Sequence, residues 1–250
     1  ASIPIDFIGG ASAGAAMGGA IARGMTVDET LDQMEAMFIH AKAMKRLTLP
    51  IYSLLDPTVF DSELRTRYGT RDIADQPINF FGVSTNLSTN GLHIHRRGLP
   101  TILPPFIDKD GNILVDGGVL DNVPVKVMHG LKSGPNIVVS LGDPHEIWRT
   151  DVAYDDIRGR WSLLRDVIMR RKREIEFPSI VEIMSRSMVV ASRMASKEML
   201  GDQDILVNPP IIANMQILDW HLGRELAEMA ADYISEHVLP TLDFQTDFTK

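Results

Sequence analysis

The chain has no cysteine, which excludes a disulfide framework, a thiolate metal site and a cysteine nucleophile. It has no apolar run long enough to cross a bilayer, and nothing near its start has the charged-then-apolar form of a secretory leader. Contact with a membrane is therefore expected from the surface only, with the protein cytoplasmic or peripheral on the cytoplasmic membrane face. Positive charge is also scarce. Lys and Arg number 25 against 33 Asp and Glu, a net charge of -8, which argues against nucleic acid as a partner. There is no internal repeat or low-complexity tract. What remains is a chain of 250 residues, 44% hydrophobic, enough for one large domain or two small ones with a substantial core.

The most informative stretch comes at once. Ile8-Gly9-Gly10-Ala11-Ser12-Ala13-Gly14 follows a short apolar run, Ile5 to Ile8, and precedes the small and apolar residues Ala13 to Arg23. This reads as strand, sharp turn and tightly packed helix. A serine on such a turn stands proud of the backbone, where its hydroxyl meets a substrate carbonyl, and Gly10 and Gly14 on either side leave space for the turn. The helix N-terminus adds positive partial charge, and the Ala13 N–H is placed to hydrogen-bond a developing oxyanion. Ser12 is the candidate nucleophile.

Further along, Gly24 suits a helix C-terminus, and Thr26-Val27-Asp28-Glu29 has capping-box spacing. Val27, Leu31, Met34, Phe38, Ala41 and Met44 then recur as one face of an amphipathic helix. Asp56-Pro57 opens a second short helix that Gly69 closes. Asn79 to Leu87 and Leu92 to His95 read as strands, with Thr89-Asn90-Gly91 as the hairpin turn between them. His93 and His95 point to one face, but no third ligand lies at a useful spacing, so no metal site is expected. Asn136 to Leu141 and Asp204 to Val207 are short strands. Trp161 to Ile175 is a basic helix, read as a solvated face ahead of a surface that docks on anionic lipid headgroups. Ile183 to Met194 continues a long helix begun at Ser179, and Leu222, Leu226, Met229, Tyr233 and Ile234 define the last one.

A second motif stands between these. Ile113 to Val115 forms a short strand that Asp116-Gly117-Gly118 ends abruptly. A carboxylate at a strand end, followed by two residues without side-chain bulk, can approach another backbone or a serine hydroxyl closely. The alternation of strands and helices points to an α/β layered fold with a central, mainly parallel sheet. An ordinary α/β-hydrolase has the order Ser, Asp, His, and His129, His145, His221 and His237 follow Asp116; that fold, however, builds several strands before its elbow.

Gly10-Ala11-Ser12-Ala13-Gly14 followed by Asp116-Gly117-Gly118 resembles the nucleophile elbow and Asp-Gly-Gly motif of patatin-like phospholipases. The resemblance extends through Phe80 to Ser88, Leu103-Pro104-Pro105-Phe106, Val119 to Pro124 and Asp204 to Pro210, which look like the bacterial branch related to neuropathy target esterase. It implies a single patatin-like domain over residues 1–250, with helices flanking the sheet, acting without a cofactor or metal as a phospholipase or lysophospholipase. It further implies a Ser-Asp dyad: Ser12 attacks the acyl ester and forms an acyl-enzyme, and Asp116 takes the serine proton and later activates water.

Two departures from the family pattern bear on these expectations. A glycine-rich oxyanion loop belongs on the unit before the elbow, and the true N-terminus is therefore expected upstream; without that loop a loss of about 10² to 10³ in rate is expected. The segment after His95-Arg96-Arg97-Gly98 also lacks the short Arg-Ala-Ser helix usual there. A non-catalytic lipid-binding module and a conventional Ser-His-Asp hydrolase stand as alternatives.

Overall fold

The computed structural model describes residues 3–40, 73–96, 106–141, 199–212 and 219–242, with isolated positions at 62, 66, 183, 186, 187 and 190. The helix expected from Asp56, the basic helix from Trp161 and most of the helix from Ser179 lie outside these residues.

Strand β1 (Phe7–Ala11) runs directly into helix α1 (Ser12–Ala22). α1 buries Ala15, Ala16, Gly18, Gly19, Ala20 and Ala22, and the absence of bulk on these residues lets it lie close to the sheet. At its end Gly24 takes φ +88, and the Met25 amide reaches back to the Ala20 carbonyl at 3.3 Å, the wrap of a left-handed helix terminus. The capping box is formed as expected. The Thr26 hydroxyl accepts from the Glu29 amide at 3.2 Å, and the Glu29 carboxylate accepts from the Thr26 amide at 2.8 Å. Helix α2 (Val27–Glu35) follows and continues as a wider turn, Ala36–His40. Met34, Met37 and Phe38 are buried, while Val27 sits exposed at the start of α2.

Strand β2 (Asn79–Asn86) is the centre of the sheet. It pairs in parallel with β1, and antiparallel with β3 (Gly91–His95) and with β5 (Ile113–Asp116). Strand β4 (Phe106–Ile107) pairs antiparallel with β5. Helix α3 (Val125–Leu131) comes next. A separate parallel pair joins β6 (Ile137–Val139) to β7 (Ile205–Val207). The last helix, α4 (Gly223–Tyr233), keeps Leu226, Met229 and Tyr233 half-buried on the expected face.

The chain is thus mixed α/β, but the expectation of a mainly parallel sheet does not hold for the described residues. In the five-stranded sheet only β1 and β2 are parallel. The reason is connection length: the Asn90-Gly91 turn and the Asp108–Asn112 turn are too short to carry a crossover, so the strands that they join must be antiparallel. Asp108 secures the second turn by accepting from the Asp110 and Asn112 amides, each at 2.9 Å.

Side chains alternate across β2, and each face has its own cover. Phe80 packs with Ala15, Ala22 and Ile73 beneath α1. Phe81 and Val83 face the other way and meet Val127, Met128 and Leu131 of α3. The described core therefore lies on both sides of β2.

Candidate functional site

Ala11 is still extended, at φ -119, and Ser12 switches to φ +49. A non-glycine residue in this left-handed region costs about 1–2 kcal/mol, and such strain is retained where the surroundings over-determine it. The reversal turns the chain from strand to helix within one residue and leaves the Ser12 side chain at the bend. Gly10 makes the bend possible. A Cβ there would lie 2.6 Å from the Gly14 carbonyl carbon and 2.7 Å from the Ala15 nitrogen, so the first turn of α1 sits where a side chain would be. Gly14 differs from the expectation that both glycines make room for the turn: a Cβ at Gly14 would meet nothing within 4 Å. The Ala13 amide belongs to the first turn of α1, whose N–H groups have no intrahelical acceptor.

The register of β2 explains how Asp116 reaches this serine. β3 occupies one edge of β2 from Gly82 to Asn86. β1 pairs with Asn79 to Val83, and β5 pairs with Ser84 to Asn86. Because each overlaps β3 along β2, both must use the opposite edge, one after the other. β1 arrives there with Ala11 opposite Val83, and β5 arrives from the other direction with Asp116 opposite Ser84. Two strands running head-on thus end at adjacent positions. Ser12 and Asp116, far apart in sequence, are each the terminal side chain of that meeting, and they share a side-chain hydrogen bond.

The two glycines after Asp116 take up the close contacts expected of them. A Cβ on Gly117 would run into the Val83 carbonyl, and the Thr85 hydroxyl donates to the Gly117 carbonyl at 3.4 Å. The Gly118 amide donates to Asp116 Oδ1 at 2.7 Å. Burial pushes the Asp116 carboxyl above its ordinary value, while the hydrogen bonds from Ser12 and Gly118 act in the opposite direction. A carboxylate that is short of solvent, hydrogen-bonded to a strained serine and fixed by one backbone amide is chemically suited to accept that serine's proton.

Two of the four downstream histidines are engaged elsewhere. His129 Nε2 lies 2.7 Å from Asp204 Oδ2, and His237 stacks on Tyr233. His145 lies outside the described residues. No group of three His, Asp or Glu side chains is placed to hold a metal among the described residues. His93 and His95 share a face as expected, with ring centroids 4.6 Å apart.

Two side chains next to the meeting point belong to neither the Ser12 elbow nor the Asp116-Gly117-Gly118 motif. Ser84 is fully buried at 0% exposure, and its hydroxyl lies 2.8 Å from His95 Nε2, in hydrogen bond. Their signals in the sequence are a polar residue directly after the apolar run Phe80 to Val83 and the alternate His93 and His95 on one strand face.

These features define a strand-elbow-helix site with a serine and a strand-end aspartate in contact. No family model matches the chain. Curated relatives do. It is 27% identical over 245 residues to patatin-like phospholipase domain-containing protein 7 of Mus musculus, covering 91% of this chain and 18% of that protein. It is 29% identical over 231 residues to neuropathy target esterase sws of Drosophila melanogaster, covering 84% of this chain and 16% of that protein. It is 30% identical over 247 residues to lysophospholipase NTE1 of Eremothecium gossypii, covering 92% of this chain and 16% of that protein. The chain is therefore homologous, over most of its length, to patatin-like phospholipase domain proteins and neuropathy target esterase, and spans less than a fifth of the length of these relatives.

Proposed function

We propose that this chain is a patatin-like catalytic domain that hydrolyses acyl esters of phospholipids or lysophospholipids through Ser12 and Asp116. The observation that carries this reading is the hydrogen bond between the two side chains, at the point where β1 and β5 end against β2. Ser12 Oγ attacks the ester carbonyl as Asp116 takes its proton. The tetrahedral intermediate, its oxyanion facing the Ala13 amide, expels the alcohol or lysolipid, which leaves with the proton from Asp116. Asp116 then takes a proton from water, and the hydroxide so formed attacks the acyl-enzyme. The fatty acid departs as Ser12 recovers its proton. The names of the relatives, phospholipase and lysophospholipase, support the substrate class. No helix among the described residues is long and apolar enough to cross a membrane, and the substrate is reached at a lipid surface.

Labelling of the full-length protein with a fluorophosphonate, with mass spectrometry to locate the adduct, tests this reading. Label on Ser12 that disappears in Asp116→Asn, together with lysophospholipid hydrolysis by the parent, is the expected result. A folded protein that neither labels nor hydrolyses overturns it and leaves a non-catalytic lipid-binding module. Loss of activity on replacing His129 alone would instead point to a Ser-His-Asp mechanism.

A further inference from the structure

The buried pair Ser84 and His95 has no part in the chemistry above, yet it lies beside it. Ser84 is the register partner of Asp116 in an antiparallel pair, so the two side chains leave the sheet on the same face with Cβ atoms about 4.5–5.5 Å apart. Ser84 shares that face with Gly82, which is opposite both Gly10 and His95. The face therefore carries, side by side, the glycine over which α1 starts, the serine, the histidine and the aspartate.

A hydroxyl with 0% exposure costs about 1–3 kcal/mol unless hydrogen-bonded, and alanine would fill this strand position without that requirement. His95 meets it at 2.8 Å. His95 is itself 8% exposed. Burial, reinforced by the charge of His93, pulls its pKa down to about 4, so it is neutral wherever Asp116 works as a base. A neutral imidazole offers one donor and one acceptor nitrogen, so the tautomer of His95 sets which way the Ser84 hydroxyl turns.

We propose that Ser84, oriented by His95, is a positioning residue for Asp116, closing the inner side of the carboxylate against water and directing it towards Ser12. This inference rests on Asp116 being the base of the dyad. The surroundings agree with it. α1 has no acidic or basic residue in its terminal turns, and neither it nor β2 carries an ionisable side chain. The titratable groups near Asp116 among the described residues are His93 and His95 on β3 and Asp121 beyond the Gly117–Val119 turn. Asp121 is itself pushed up by burial and held by the Val123 amide. Ser12 and the Gly118 amide bond the carboxylate, and the neutral Ser84–His95 couple stands beside it to fix its direction.

The test compares Ser84→Ala and His95→Gln with the parent in full-length protein, by two readouts. The first is the Asp116 titration, isolated as the infrared difference between 13C-aspartate-labelled protein and the same protein carrying Asp116→Asn. The second is the kcat and KM of lysophospholipid hydrolysis. Ser84→Ala trades a hydroxyl dipole for a methyl group and is expected to raise the Asp116 midpoint by about half a pH unit and to lower kcat about tenfold with KM unchanged. His95→Gln retains a donor and an acceptor for Ser84 and is expected to keep both values near those of the parent. An unmoved Asp116 midpoint in Ser84→Ala, with kcat within twofold and only the melting temperature reduced, overturns the proposal. If the parent shows no hydrolysis, the esterase reading fails separately; a shifted midpoint then still supports the positioning role, and an unshifted one overturns it. If His95→Gln does not fold, Ser84→Ala decides alone.

Discussion

Gly10 and Gly14 flank Ser12 symmetrically in sequence, yet their replacement by alanine should have opposite effects. The Cβ of Gly10→Ala would fall 2.6 Å from the Gly14 carbonyl carbon and 2.7 Å from the Ala15 nitrogen, whereas relaxed carbon contacts begin near ~3.5 Å. These are backbone atoms, so the first turn of α1 has to retreat by nearly ~1 Å, against a helix held to the sheet by buried Ala15, Ala16, Gly18 and Ala20. Overpacking of this kind costs about 1–3 kcal/mol, or a fall of roughly 2–12 °C in Tm for a domain of this size. A displacement of about 1 Å at a reacting group costs on the order of 10²-fold in rate, so labelling of Ser12 should slow by that factor. Gly14→Ala adds a methyl group to open space and gains up to ~1 kcal/mol of helix propensity, leaving Tm unchanged or raised. Thermal melts and fluorophosphonate labelling rates on both variants measure these outcomes. A Gly10→Ala protein that melts and labels like the parent, or a Gly14→Ala protein as damaged as Gly10→Ala, would refute the steric account of the elbow.

Ser12→Ala and Ser12→Gly should both abolish hydrolysis, but differ in stability. Alanine keeps the left-handed backbone penalty seen at φ +49 and glycine removes about 1 kcal/mol of it, so denaturant melts should rank Ser12→Gly above Ser12→Ala. The acid limb of the kcat/KM profile should lie above the ordinary carboxylate range, because burial raises the Asp116 carboxyl. A raised carboxyl contributes stability that is full below its unfolded value and is lost as pH rises through the folded value. Asp116→Asn should therefore gain stability relative to the parent between acid and neutral pH while losing activity; a constant difference in Tm across that range would contradict this. At Asp204, burial acts to raise the carboxyl, but the Gly201 amide, the Asn136 amide and His129 together outweigh it and leave the value lowered. Asp204→Ala should cost about 1–3 kcal/mol at neutral pH, a deficit that shrinks as the pH falls through the folded value of the parent. A deficit independent of pH would show that the carboxylate charge has no part in it.

The sequence by itself determined the features that depend on near neighbours in the chain. The elbow at Ser12, the capping box at Thr26 and Glu29, the Asn90-Gly91 hairpin and the close-packed Gly117 all rest on one to four consecutive residues, whose backbone preferences are the same wherever they stand. The sense of the strands is less legible in it, because alternation of strands and helices suggests crossovers while the short turns at Asn90-Gly91 and Asp108–Asn112 demand antiparallel neighbours. Only the tertiary structure decided that β2 receives β1 and β5 end to end on one edge, which brings Ser12 to Asp116. It also decided that Ser84 faces Asp116 with His95 behind it. A slip of one residue in either register would turn these side chains to the opposite face, and no residue pattern within β2 records which register its partners take.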